Sequence, residues 1–244
     1  VLHLAPHKLS GHNLCASASP GCIVACLNLA GHGGIGIGSH AARIRGVSNS
    51  VQEARMRRSR LWFADRPLFL SQLVRDIELA LTHARRARLR LAVRLNGTSD
   101  VPFELYPVVR KGRLYPHIFA AFPRVQFYDY TKRIKRLRDH AGGKRILPHN
   151  YHLTFSLSET NRADAAAALA MGFNVAAVFR DRDRVEVAMR DGYALEGVRR
   201  DVIDGDESDL RYKDQAAHGE PGRIVGLYAK GAQGKRDASG FVLD

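Results

Sequence analysis

The sequence predicts an α/β chain built on a parallel sheet of about six strands, open or curled into a partial barrel. Three observations carry this. Short apolar runs at 125–128, 153–157, 175–179 and 224–228 are each bounded by polar or turn residues, as strands buried on both faces are. Segments of helical spacing separate several of them, and such alternation implies right-handed crossovers between parallel neighbours. The chain shows no internal repeat or low-complexity linker. Its 244 residues, 45% of them hydrophobic, suit one domain spanning 1–244 with a sizeable core.

Taken in order, residues 2–4 offer a first short strand. A cysteine-bearing loop and helix occupy residues 1–40 of the domain. Ser19 is a fitting N-cap with Pro20 at the first helical position, and Gly31 a fitting stop. That helix sets Cys22 and Cys26 four apart on one face, while Cys15 arrives from a loop of small residues, Ala16, Ser17 and Ala18. N–H groups at the helix start are expected to donate to sulfur. The run from Gly31 to Gly38 lacks the lysine and hydroxyl ending of a phosphate loop, so it reads as a connector close enough to the cysteines to act as a lid. Residues 50–62 and 67–88 read as helices, the second with apolar positions at Leu68, Leu70, Leu73, Ile77, Leu79 and Leu81. A strand follows at 89–95. Residues 102–121 form a helical candidate interrupted by Pro107 and Pro116, and 131–139 a further helix. The alanine-rich 162–171 is a helix stopped by Gly172. Residues 198–203 make a weaker strand before the last one at 224–228.

Cys15, Cys22 and Cys26 are the chain's only cysteines, arranged C-x6-C-x3-C. Their odd number and local spacing argue for reduced thiols rather than a disulfide framework. Three soft ligands so close suggest a metal: a [4Fe-4S] cluster with one iron free of cysteine, or zinc completed by His12 or His32. Structural zinc sites favour closer cysteine pairs, which tilts the reading toward the cluster. Three buried structural cysteines are the remaining alternative.

A balance of 38 basic against 24 acidic residues gives a net charge of +14 and calls for a polyanion or an anionic substrate. The excess gathers at Arg55, Arg57, Arg58 and Arg60, at Arg85, Arg86, Arg88 and Arg90, and at Lys132, Arg133, Lys135, Arg136 and Arg138. These blocks are either solvated helix faces or phosphate contacts of a nucleic-acid-binding protein. No aromatic residues interleave with them, so base stacking is not indicated. No apolar run is long enough to span a bilayer, so a membrane partner is not expected and the cytoplasm is the expected location.

Strand ends supply the other candidates, because the reactive loops of parallel α/β folds leave the C-terminal ends of strands. Asn96, Thr98, Ser99 and Asp100 follow one strand, Asp129, Tyr130 and Thr131 another, and Ser156, Ser158 and Glu159 a third. Lys230 follows the last and is suited to an anionic substrate. Asn96, Asp100, Ser156 and Lys230 are therefore the expected pocket wall. Asp204, Asp206 and Asp209 lack the spacing of a calcium loop and read as a charged turn. The histidines form no metalloprotease pair and no serine sits in a nucleophile elbow, which argues against hydrolases.

The segment from Cys15 to His32, with Val93-Arg94-Leu95-Asn96-Gly97-Thr98-Ser99-Asp100, Phe127-Tyr128-Asp129-Tyr130-Thr131, Asn150-Tyr151-His152-Leu153-Thr154-Phe155-Ser156-Leu157-Ser158 and Gly205-Asp206-Glu207-Ser208-Asp209-Leu210-Arg211, resembles the gene product 88 domain family of phages and plasmids. That resemblance implies a bacteriophage protein and no particular reaction. More distantly, three cysteines near the N-terminus ahead of β/α units are similar to the radical S-adenosylmethionine (SAM) enzymes. This likeness implies a partial TIM-type barrel, a [4Fe-4S] cluster held by Cys15, Cys22 and Cys26, and SAM or a substrate at the open iron. The spacing differs from that superfamily's C-x3-C-x2-C, and the Gly-Gly-Glu segment that holds SAM has no counterpart here.

Overall fold

A computed structural model describes residues 1–214 and 220–244 of the chain. Its N-terminal third is helical: α1 (Pro20–Val24), α2 (His40–Ile44), α3 (Ser50–Ala64) and α4 (Arg66–Arg86). α3 and α4 meet at Asp65, which ends the first and caps the second by accepting from the Leu68 N–H at 2.9 Å, with Pro67 in the opening turn. The buried face of α4 comprises Phe69, Leu70, Leu73, Val74 and Ile77, a 3.6-residue stripe. Trp62 of α3 anchors it edge-on to Phe69, Phe103 and Tyr106.

The sheet follows. β1 (Ala92–Val93) leads to a small antiparallel hairpin, β2 (Val108–Arg110) and β3 (Arg113–Tyr115), and to the short α5 (Ile118–Ala121). Next come β4 (Gln126–Thr131), α6 (Ile134–Ala141), β5 (Tyr151–Ser156), α7 (Arg162–Ala170), β6 (Val175–Phe179) and α8 (Arg182–Asp191). A second hairpin, β7 (Tyr193–Leu195) and β8 (Val198–Arg200), precedes β9 (Val202–Asp204), β10 (Ile224–Tyr228), α9 (Gly231–Lys235) and β11 (Val242–Leu243). The strands run parallel in the order β1-β4-β5-β6-β10-β9, curled into the expected six-strand half-barrel. β10 lies between β6 and β9, so the sequential order breaks at the far edge. Phe127, Leu153, Phe155, Val175, Ala177 and Ile224 form the core of this sheet, each buried to within 1%.

One detail opens the mouth of the half-barrel. β5 pairs with β6 only at Phe155–Val175 and Ser156–Ala176, and beyond that point β11 takes over the same flank at Val178 and Phe179. β5 and β6 therefore diverge above Ser156, and the C-terminal segment enters between them.

Several expectations need correction. Residues 102–121 are not a helix: Pro107 and Pro116 cannot sit inside one. Lys111 and Gly112, both at positive φ (50° and 73°), instead form the turn that a two-residue hairpin requires. The strand expected at 89–95 shrinks to two residues, because Arg88 at φ 56° leaves the helix in a left-handed step and Leu89 is exposed. Residues 198–203 divide between the β7–β8 hairpin and β9. Residues 2–4 form no strand, yet the Leu2 main chain bonds alongside β1, donating to Arg94 O at 2.8 Å and accepting from Gly97 N–H at 2.9 Å.

Candidate functional site

Cys15, Cys22 and Cys26 line a single cavity of about 250 Å³, and so do Asn96, Asp100, Ser156 and Lys230. It lies where strands β1, β4, β5 and β10 end, the C-terminal mouth at which parallel folds carry their reactive loops. The elements that build it can be followed from each cysteine outward.

Cys15 sits in a loop stitched to the one after β1: Leu14 O accepts from Asp100 N–H at 2.9 Å, and Thr98 donates its hydroxyl to Leu4 O at 2.6 Å. The Cys15 thiol donates to Thr98 O at 3.6 Å. Cys22 belongs to α1, whose cap is Ser19 as expected. The helix nevertheless stops at Val24, well short of Gly31, and Cys26 lies beyond it as the residue preceding a 3-10 turn at Leu27–Leu29. Cys22 and Cys26 are thus not on one helical face, although both reach the same cavity.

The expectation that the start of this helix donates to sulfur also fails. Its N–H groups are already used: Gly21 N–H donates to Glu159 Oε1 at 2.8 Å, and Cys22 N–H to Ser19 Oγ at 3.3 Å. Ser19 in turn donates to Glu159 Oε2 at 2.7 Å. Glu159, in the loop after β5, therefore clamps the cysteine helix onto the sheet. Gly21 allows that approach, since a Cβ there would lie 2.0 Å from Ser239 Oγ and 2.7 Å from Phe241 Cβ. The donors to sulfur are instead the main-chain N–H of His7, to Cys15, and of Asn28, to Cys26. Burial outweighs both, pushing the Cys15 thiol up to about 12 and Cys26 to about 11.

Asn28 is fully buried and fixes the segment behind Cys26. Its amide donates to Gln52 Oε1 at 2.7 Å, and its oxygens accept from Arg55 at 2.6 and 3.0 Å. Arg55 is thereby a structural clasp rather than part of a solvated basic face. Arg57, Arg58, Arg60 and the whole Arg85–Arg90 set of arginines remain exposed. Arg136 is also buried, in a bidentate pair with Glu104 at 2.8 Å and within 3.2 Å of Asp100. Desolvation works against its charge, but Tyr151, Glu104 and Asp100 outweigh it and raise its pKa.

The four wall residues differ in what they offer. Asn96 is committed: its main-chain N–H and its amide reach the two Asp129 oxygens at 2.6 and 3.1 Å, the amide also donates to Val101 O, and its oxygen accepts from Ser99 and Val101. It holds the loop in place. Asp100 accepts from the Thr131 hydroxyl, the Lys132 N–H and Arg136. Ser156 accepts from Lys132 Nζ at 2.6 Å. Lys230 pairs with Asp206 at 2.6 Å, an interaction that raises its pKa, and is half exposed at the rim.

Asp204, Asp206 and Asp209 form the charged turn expected of them. Asp204 accepts from Asp206 N–H, Asp206 pairs with Lys230, and Asp209 pairs with Arg94 at 3.3 Å and accepts from Tyr128 OH. The glycine run is partly a 3-10 turn, Gly31–Gly34, and walls a second void of about 310 Å³ that shares Cys26 and Lys230 with the first.

Tyr130, a strand-end candidate, lines the cysteine cavity, and so do Arg94 and Lys132, which strand-end position did not single out. Arg94 falls inside the strand expected at 89–95 and comes to the strand end only because β1 stops at Val93, while Lys132 directly follows β4 but reads in sequence as part of a basic block.

Among the described residues, no three His, Cys, Asp or Glu side chains converge tightly enough to hold one metal ion. His12 stacks on Phe63 with ring centroids 4.1 Å apart. No described helix is long and apolar enough to cross a membrane. No curated protein and no solved structure matches the chain. The sequence model described as gene product 88 matches residues 1–244, and the chain belongs to that family.

Proposed function

We infer that this is a phage iron–sulfur protein holding one [4Fe-4S] cluster through Cys15, Cys22 and Cys26, with the fourth iron open to the cavity for a small-molecule ligand. The observation that carries the reading is the convergence of all three thiols on one void at the sheet's C-terminal mouth. The donor set fits. A single ion would draw three sulfurs to within roughly 4 Å of each other, given Zn–S bonds of about 2.3 Å. In a cubic cluster each thiolate takes its own iron, so the sulfurs surround a void instead of meeting at a point. When bound, such a cluster supplies single electrons to a ligand on its open iron, which makes a redox or radical-type enzyme the leading class.

The chain's own part is to hold the thiols and shape the cavity. His7 and Asn28 direct N–H groups at two sulfurs, where they stabilise negative charge. Glu159 and Ser19 fix the helix bearing Cys22. Likeness to radical SAM enzymes rests on the curled sheet and the cysteines at its mouth, and SAM remains one candidate ligand. Anaerobic reconstitution followed by iron and sulfide analysis tests the reading. About four irons per chain, and a reducible signal altered by added ligand, support it. A colourless protein with one zinc refutes it.

A second reading is favoured by the exposed arginines of α3 and the end of α4. Here the protein binds nucleic acid and the metal group only staples the fold. Binding of duplex DNA or RNA that weakens steeply with salt, and is reduced by Arg85→Gln with Arg86→Gln, is its expected outcome.

A further inference from the structure

Strands β1, β4 and β5 are neighbours in the sheet, and they deliver Arg94, Lys132 and Ser156 to the cavity. Arg94 and Lys132 are the first residues beyond their strands, and Ser156 is the last of its own. Thr131 stands level with Phe155 in the ladder, which brings Lys132 beside Ser156.

The charges on this wall do not all cancel. Asp100 is engaged by Arg136, Asp209 by Arg94, and Lys230 by Asp206. The hydrogen-bond partners of Lys132 Nζ are uncharged oxygens, Ser156 Oγ at 2.6 Å, Leu157 O at 3.2 Å and Ser156 O at 3.3 Å, and it lies 5.2 Å from the centre of the Phe241 ring. No carboxylate among the described residues forms an ion pair with it. An ammonium held in a half-enclosed cavity without a counter-ion is electrostatically costly, and a bound anion relieves that cost.

Two unused donors flank it. Lys132 occupies a lone pair of Ser156 Oγ, so the serine hydroxyl hydrogen is left free to point at a ligand. Arg94 keeps a buried Nε–H with no partner, while its guanidinium is steadied over the Tyr130 ring at 4.5 Å. Lys132 and Ser156 are not a nucleophile and base. The oxygens around Nζ suit an ammonium, which has no lone pair to accept a proton; two of the three contacts are long, at 3.2 and 3.3 Å, so an N–H bond can turn to a ligand. Val178, Leu227 and Phe241 give the same cavity an apolar patch.

The geometry points to an anion subsite in which Lys132, Ser156 and Arg94 receive the carboxylate or phosphate head of a small molecule whose apolar body lies against Val178, Leu227 and Phe241. At about 250 Å³ the cavity is smaller than the ~300–1,000 Å³ typical of drug-sized sites, which favours a small metabolite over a polymer. The three donors are protein groups outside the cysteine set, so the subsite is tested on the chain without metal.

Calorimetric titration of the whole chain tests this, with phenylacetate, uncharged phenylacetamide and inorganic phosphate as probes. One of the two anions binds, the amide binds at least roughly tenfold more weakly, and Lys132→Gln weakens the anion by about tenfold or more. Arg75→Gln, on the exposed face of α4, leaves anion binding unchanged. Preference for phosphate or for phenylacetate then assigns the head group. Should Lys132→Gln fail to fold, Ser156→Ala serves in its place with the same direction of effect. The subsite is overturned by absence of anion binding, by equal binding of acid and amide, or by equal losses in Lys132→Gln and Arg75→Gln, which would mean diffuse surface charge.

Discussion

Arg136 shows how far a residue's environment can depart from what its neighbours in sequence suggest. It sits in a run of five basic residues and reads as one more solvated charge, yet its side chain is 6% exposed and locked to Glu104, Asp100 and Tyr151. Replacing it with methionine leaves two carboxylates buried without their partner. Arg136→Met should therefore lower unfolding stability by roughly 3–5 kcal/mol, measurable by denaturant titration. Arg55 follows the same logic on a smaller scale, since it closes the segment behind Cys26. At the cavity, the proposed cluster makes Cys22→Ala a direct test: iron retention and visible absorption after reconstitution should be lost. An unchanged spectrum after reconstitution would remove Cys22 from the ligand set.

Among the elements, the five-residue α1 depends most on its surroundings. So short a helix has little stability of its own. It is held by Ser19 at its cap, by Glu159 reaching from the loop after β5, and by Gly21 against Ser239 and Phe241. Glu159→Gln keeps the shape and one acceptor but loses the charge, and should cost about 1 kcal/mol and speed loss of any bound iron. Gly21→Leu is the harsher test, because there is no room for its side chain. That variant should displace the C-terminal segment, with earlier proteolysis near residue 239 as the readout. Most elements were legible beforehand: α3, α4, α6, α7, β6 and β10 lie within a few residues of where spacing and stop signals put them. The failures share a cause. The β2–β3 hairpin and the early end of α1 are set by turn geometry and by contacts with distant loops, neither of which leaves a periodic trace.

For the whole molecule, acid response depends on opposing buried groups. Burial lowers His152 to about 4, so as pH falls below 6.5 the unfolded chain takes up a proton the folded chain does not, and stability drops until about pH 4. Burial raises Asp129 to about 6, against donation by Asn96 and Tyr151, so the folded chain takes its proton first and gains stability as pH falls from 6 toward 3.8. Each contribution is on the order of 3 kcal/mol, and they oppose one another. Asp129→Asn removes the compensating gain. The variant should lose stability between pH 6 and 4 more steeply than the parent chain in parallel denaturation curves.

The sequence by itself determined the half-barrel class, most helix and strand positions, and that the cysteines and strand-end residues are the candidates that meet at one cavity. Those depend on periodicity, on capping residues and on the rule that parallel strands present their C-terminal ends together. Only the tertiary structure decided which basic residues are clasps and which face solvent, that Glu159 rather than the helix start serves the cysteine segment, and that Lys132 lies in the cavity beside Ser156. The physical reason is that a side chain's charge acts through its neighbours in space, and residues as far apart as Ser19 and Glu159, or Arg94 and Asp209, meet only once the sheet has curled.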